Sequence, residues 1–231
     1  VLSGFFSQKR TDMNDNTASK LFSNDTKFAR FMNTLADVLG VGILWLICSL
    51  PIITLGASAT AAYYAMAKCV RHSEGRIFPE FFRSFRSNFR QTVLLTILFV
   101  LAALTLAVDF IYLWGNESAS NDAVFVVLVL VAFVVLALVV YLFPLLSRFD
   151  WRTLDLVRTG LIVTFKYFPL TVGIVALLFL AGIGMYLMPW AVLVIPGVCL
   201  YLLTFPMEKV LRALAPPVEE GSEEADKWYY Q

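Results

Sequence analysis

The side chains able to do chemistry are few, and their spacing assembles no catalytic group. The single histidine, His72, follows Arg71 in a basic segment, where a solvated loop residue is expected rather than a base or a ligand. Cys48, Cys69 and Cys199 lie in or beside apolar runs and form no C-x-x-C, so they read as small packing residues. No glycine-rich phosphate loop, H-E-x-x-H or G-x-S-x-G occurs. The expectation is a protein that is not an enzyme and that uses no metal and no cofactor. Acids inside apolar runs are the remaining flag for function. Asp37 stands near the start of the first run. Asp109 stands in the third, about 9 Å past its midpoint at 1.5 Å per residue. It is a candidate for facing a polar cavity or binding a proton. The plainer reading puts it at the outer interface or has it accept from a hydroxyl.

Two further groups have spacing that matters. In the segment from Arg71 to Gln91, Phe78, Phe81, Phe82, Phe85 and Phe89 recur at three- and four-residue steps, beside Arg83, Arg86 and Arg90. That pattern predicts an interfacial amphipathic helix with an aromatic side and a cationic side. Phe78, Phe82, Arg83, Phe85, Arg86, Phe89 and Arg90 are therefore candidates for touching anionic lipid or a docked partner. The second group is Gly56, Ser58, Thr60, Ala62, Tyr63, Tyr64 and Ala65. Ser58/Ala62 and Ala61/Ala65 repeat small residues four apart, which lets another helix approach backbone to backbone in lipid. Tyr63 and Tyr64 are expected on the other side. This helix packs against neighbours or lines a cavity as a broken helix.

The elements that position these residues follow from hydropathy. Of 231 residues, 59% are hydrophobic and 15% charged, and mean hydropathy is +0.76. An ordinary soluble domain is about 25% charged, so the class is an all-α membrane helix bundle. The net charge of +1 points to no nucleic-acid partner. Six spans are expected, at Leu35–Leu50, Ser58–Arg71, Thr92–Trp114, Ala123–Leu146, Tyr167–Leu187 and Trp190–Phe205. Pro51 and Gly56 punctuate the first turn, with Ser58 as N-cap of the second helix. Gly75 marks a turn, with Pro79 expected at the first position of the following helix and Glu80 in its first turn. Asp150 is a plausible cap for the amphipathic run after the fourth span. Residues 1–22 are expected to be disordered or loosely ordered, 23–213 to form the membrane domain, and 214–231 to be an acidic disordered tail. No signal peptide is expected, and the start at Val1 suggests a missing or trimmed N-terminus.

Positive charges set the orientation. Five Lys/Arg precede the first span, six lie between or at the ends of spans two and three, four between spans four and five, and three after span six. With six spans all 18 fall on one side; with five they split. The expected architecture is three in–out–in hairpins with both termini cytoplasmic. Hairpins two and three show a weak parallel repeat at an offset of 79, pairing Phe89 with Phe168, Thr92 with Thr171, Val93 with Val172 and Leu98 with Leu177.

The stretches Phe28–Met32, Leu35–Asp37, Leu44–Tyr64 and Phe81–Gln91 together resemble the YesL family of bacterial membrane proteins. The specific part covers about residues 21 to 91. The family is one of unknown function, whose members are often encoded beside carbohydrate ABC importers and glycan-degrading enzymes. The resemblance implies a bacterial plasma-membrane protein linked to sugar uptake, with carbohydrate ABC importer subunits as partners. It supplies no catalytic residues. Two functional expectations stand: an accessory or regulatory component of a carbohydrate uptake system, and a small stand-alone transporter or permease for a neutral solute.

Overall fold

A computed structural model describes residue 28 and residues 30–72, 74–114, 119–149 and 151–214. The expected loose segment 1–22, the Asp150 cap and all of the expected tail except Leu214 lie outside the described residues. The described residues are all-α. Helix α1 runs Arg30–Cys48, α2 Leu55–Ala65, α3 Ile77–Trp114, α4 Ala119–Leu146, α5 Thr153–Lys166, α6 Phe168–Leu187 and α7 Ile195–Leu214. Short 3-10 turns, Ile52–Thr54 and Pro189–Leu193, precede α2 and α7. A π-helical segment, Met66–Arg71, continues α2.

The chain divides at Asp37 into two units. In the first, the described part of α1 is largely exposed, and Thr34 Oγ1 donates to the Arg30 carbonyl at 2.9 Å. The second, residues 38–231, holds the core. There α2 packs on α3 and α4, α5 packs on α4, and α6 packs on α7, while α2, α4 and α7 also touch one another. Four helical stretches are long and apolar enough to cross a membrane: Arg30–Cys48, Ile77–Trp114, Asp122–Leu146 and Phe168–Leu187. Neither α2 nor α7 qualifies by that measure. One is 11 residues long, and the other carries three charges, Glu208, Lys209 and Arg212, near its end.

Local sequence explains most boundaries, with corrections. Gly75 does adopt a left-handed conformation at φ 81, which only glycine takes cheaply. Pro79 is the third residue of α3, because the helix starts at Ile77. Ser58 is not the cap of α2. Thr54 holds that position, and Ser58, inside the first turn, donates back to the Leu55 carbonyl at 2.9 Å. Gly56 is helical, so conformational freedom is not its role. A Cβ there would lie 2.2 Å from Thr96 Oγ1 and 2.6 Å from the Phe143 ring, so the glycine lets α2 meet α3 and α4. The cap position of α5 is Arg152.

The repeat at offset 79 recurs in the burial pattern. In α3 the buried residues are Phe81, Ser84, Thr92, Leu95 and Thr96. Four of their counterparts, Gly160, Val163, Thr171 and Ile174, are buried in α5 and α6. Thr92 Oγ1 donates to the Asn88 carbonyl at 2.8 Å and Thr171 Oγ1 to the Tyr167 carbonyl at 3.1 Å, the same four-residue back-bond. The copies differ in one respect. Pro169 lacks an amide to close a helical turn, so the second copy breaks at Tyr167, where α3 is continuous.

Candidate functional site

The amphipathic start of α3 is the most exposed of the candidate surfaces. Its inward side is Phe81, fully buried, with Ser84 behind it. Phe81 stacks on Phe85 at 6.3 Å between ring centroids, and Phe85 meets Phe89 at 5.5 Å. Phe85 and Phe89 are half-buried, so they brace the helix more than they display it. Phe78 and Phe82 are exposed, and so are Arg83, Arg86 and Arg90. The five phenylalanines therefore do not form one aromatic side. Residues 78, 82, 86 and 90 lie four apart on one stripe of two rings and two guanidinium groups, with exposed Arg83 beside it. Gln91 Nε2 ties this helix to the start of α5 through the Trp151 carbonyl at 3.0 Å and Thr153 Oγ1 at 3.3 Å.

Helix α2 is walled in on nearly every side. Gly56, Ser58, Thr60, Ala61, Ala62, Tyr63 and Ala65 are all buried. Small side chains do admit close neighbours there, but Tyr63 is buried rather than facing away, and only Tyr64 is half-exposed. Between α1 and α7 a second close crossing exists that spacing did not reveal. A Cβ on Gly197 would lie 2.5 Å from the Val38 carbonyl oxygen, and one on Gly42 would lie 2.9 Å from Gly197 Cα.

A charged cluster lies where α2, α4 and α7 converge, and sequence reading missed it. Arg148 Nη2 forms an ion pair with Glu208 Oε1, and each side chain is 1% exposed. The Tyr63 hydroxyl donates to the same carboxylate oxygen at 3.1 Å. Arg71, on the π-helical segment, donates to the Thr204 carbonyl at 2.7 Å and lies 4.8 Å over the Phe205 ring. Nearby, Lys68 Nζ pairs with Glu80 Oε1 at 3.0 Å. Burial lowers the pKa of His72. Glu208 opposes this shift, while Arg71, Arg212 and Arg148 reinforce it. The available signal was a lone Glu208 among Phe205, Met207, Val210 and Leu211, an acid that needs a partner if that helix is buried.

Two cavities flank these helices. One, about 480 Å3, runs between α3 and α4 from Thr96 and Phe143 out to Phe110. The other, about 300 Å3, is lined by α1, α2, α4, α6 and α7, with Tyr63 and Met207 on its wall. Both are lined almost wholly by carbon. Thr60 is buried but lines neither, and Asp109 is exposed and lines neither. The candidate set thus separates into an exposed stripe, a packing helix and an isolated exposed acid. No group of three or more His, Cys, Asp or Glu that could hold a metal occurs among the described residues.

Residues 38–110 match the family described as "Protein of unknown function, DUF624". The chain is 30% identical over 131 residues to the "Uncharacterized protein YesL" of Bacillus subtilis (strain 168). That alignment covers 54% of this chain and 61% of that protein, so the chain spans about three fifths of its curated relative. No solved structure matches the chain.

Proposed function

We propose that this chain, which belongs to the YesL family on the two matches just described, is an accessory or regulatory component of a bacterial carbohydrate uptake system, held in the plasma membrane. Its helices form three hairpins, α1–α2, α3–α4 and α6–α7, each entering from the cytoplasmic side and returning to it. The positive charges support that sidedness, because all 18 then share one side. So does the meeting of Tyr63, Arg148 and Glu208, which sets the returning halves of α2, α4 and α7 at one level.

The observation that carries the accessory reading is the exposed surface of Phe78, Phe82, Arg83, Arg86 and Arg90, set beside two cavities lined almost wholly by carbon. A permease for a neutral polar solute needs hydrogen-bonding groups on a cavity wall. Here the Tyr63 hydroxyl turns to Glu208, and the linings are apolar. A cationic, aromatic surface at the headgroup level suits a partner whose facing surface is acidic. The test is replacement of Arg83, Arg86 and Arg90 together by Gln. Topology and recovery of co-purifying carbohydrate importer subunits are then measured on the same variant. Normal insertion with lost recovery is expected. Normal insertion with undiminished recovery rejects docking through this stripe and leaves it a membrane anchor.

A further inference from the structure

The 480 Å3 cavity is a slot between two of the apolar spans, α3 and α4, and both its ends are closed. At the inner end the Gly56 amide donates to Thr96 Oγ1 at 3.2 Å, with the Phe143 ring against the same glycine. At the outer end the rings of Phe110 and Phe125 meet at 4.9 Å. From Thr96 to Phe110, α3 rises 14 residues, about 21 Å at 1.5 Å per residue. Ala103 and Ala107 of α3 and Ala132 of α4 line that stretch with side chains too short to bridge it. Burial shows where the slot opens. Gly56, Thr96 and Phe143 are buried, whereas Ala103, Ala107 and Phe110 are exposed, so access is from the side, in the outer half.

The walls decide what fits. The one polar side-chain atom lining the slot, Thr96 Oγ1, already donates to the Thr92 carbonyl at 2.7 Å and accepts from Gly56. Water needs polar partners and leaves such a cavity dry, and a polar solute finds no bond there. A transmembrane helix is too wide. One 10 Å across and 21 Å long displaces roughly 1,600 Å3, more than three times the slot. Left empty, the slot denies its walls dispersion contacts that lipid can supply. A single hydrocarbon chain is far thinner than a helix and bends at each bond. Each leaflet of a core about 30 Å thick is about 15 Å deep, so the slot is long enough for a whole chain from one leaflet.

Charge near the mouth points to the kind of lipid. Asp109 is exposed and directly precedes Phe110, the outermost lining residue of α3. It stands five residues, about 7.5 Å, before Trp114, whose residue type settles at the membrane–water interface. A carboxylate just beneath that level calls for a counter-charge, and Asp109 has no ion pair among the described residues. Asp122, at the start of α4, is exposed, and the connection between the two helices adds Glu117 and no Lys or Arg. We propose that the slot binds one acyl chain of an outer-leaflet phospholipid with an amine-bearing headgroup, and that Asp109 pairs with the amine. The outer-leaflet source rests on the membrane reading and three-hairpin sidedness given above; the docking of an importer plays no part in it.

The lipid retained by the full chain tests this. After purification from its membranes and repeated detergent exchange, one phospholipid per chain is expected, with amine-bearing headgroups enriched over their share of the membrane. Ala103→Phe and, separately, Ala132→Leu fill the slot and should cut retention at least tenfold at an unchanged or higher melting temperature. Leu104→Phe, at an exposed position beside the slot, should leave retention as it was. Asp109→Asn should keep the lipid and lose the headgroup enrichment. A native chain that retains no lipid, filled variants that retain as much as the native chain, or a retained lipid of the anionic class each overturn the proposal. The second measurement uses vesicles of phosphatidylethanolamine and phosphatidylglycerol, the former with a photoreactive group at the end of one acyl chain. Adducts are expected at the slot wall, on peptides at Ala103 or Ala132, over Leu104 and Val108; even labelling of all four means passing lipid only and overturns it. Ser118 shielded from an impermeant reagent outside refutes the sidedness, and with it the outer-leaflet source, whatever the retention shows.

Discussion

The buried Arg148–Glu208 pair allows a quantitative test of the core. With side chains 1% exposed, neither charge has water to turn to if its partner is removed. At 4 Å and an effective dielectric of 20, two unit charges attract by about 4 kcal/mol. Breaking a buried pair from one side typically costs ~3–5 kcal/mol, because a charge is stranded. Arg148→Met and Glu208→Leu should each fall in that range, measured as unfolding free energy in mixed micelles of a denaturing detergent. The double variant should cost less than either single change, since no charge remains to strand. It should still lose ~1–3 kcal/mol, because the Tyr63 hydroxyl, which donates to Glu208 at 3.1 Å, is left without an acceptor. Adding Tyr63→Phe should recover part of that loss. The reasoning is refuted if the two single costs simply add in the double variant, or if Glu208→Leu costs under about 1 kcal/mol.

Three other outcomes are expected. Gly197→Ala should destabilise more than Gly56→Ala, whose cost is ~1–3 kcal/mol, because its Cβ meets the Val38 carbonyl rather than side chains that can shift. Gly40→Ala, with open space around it, should be neutral or better, all read by thermal unfolding in detergent. For topology, cysteines at Ser118 and Ser222 should label oppositely with an impermeant thiol reagent on intact cells, only the first reacting; reaction only at Ser222, or equally at both, defeats the three-hairpin arrangement. His72 has a folded pKa below its ordinary 6.5, so the unfolded chain binds the proton more readily. Stability should therefore fall as pH drops from 6.5 through the folded value and level off below it, and His72→Gln should flatten that part of the pH–stability curve.

Much of the helix pattern was legible because lipid-facing helices advertise themselves by hydropathy. The small-residue face of α2 was also legible, since Ala61, Ala62 and Ala65 are all fully buried. Tyr63 was misread because helical spacing set it opposite the small-residue face, while its acceptor, Glu208, lies 145 residues away in sequence. Gly56 was read as a turn residue because it follows Pro51, and only the positions of Thr96 and Phe143 show that it makes room for them. Glu208 was passed over because it sits beside Lys209 near the end of a span, where charges usually meet water. Periodicity alone grouped the five phenylalanines of α3. Which of them face inward depends on where α2 lies, and that is a tertiary fact.

The repeat and the cluster together explain why burial gathers at one end of the bundle. The buried residues of α3 all precede Ile97, those of α6 are Thr171 and Ile174, and the buried run of α4 starts only at Ala137. Beyond those levels, α3 and α4 expose Leu98, Leu101, Leu104, Val108, Val126 and Val127. Lipid gives apolar side chains no reason to leave it, so contact between helices has to come from close packing and polar bonds. Glycine crossings and threonine back-bonds supply part of that. The remainder comes from Tyr63 of α2, Arg148 of the turn after α4 and Glu208 of α7, joined at a single carboxylate oxygen. α2 starts at Leu55, where the Gly56 amide donates to Thr96 Oγ1, so it runs beside the part of α3 that precedes Ile97. The outer halves of α3 and α4 therefore have no returning helix from the first hairpin beside them, and the 480 Å3 cavity opens where it is absent. The start of α2 at Leu55 and the open groove beyond it are thus two sides of one packing arrangement.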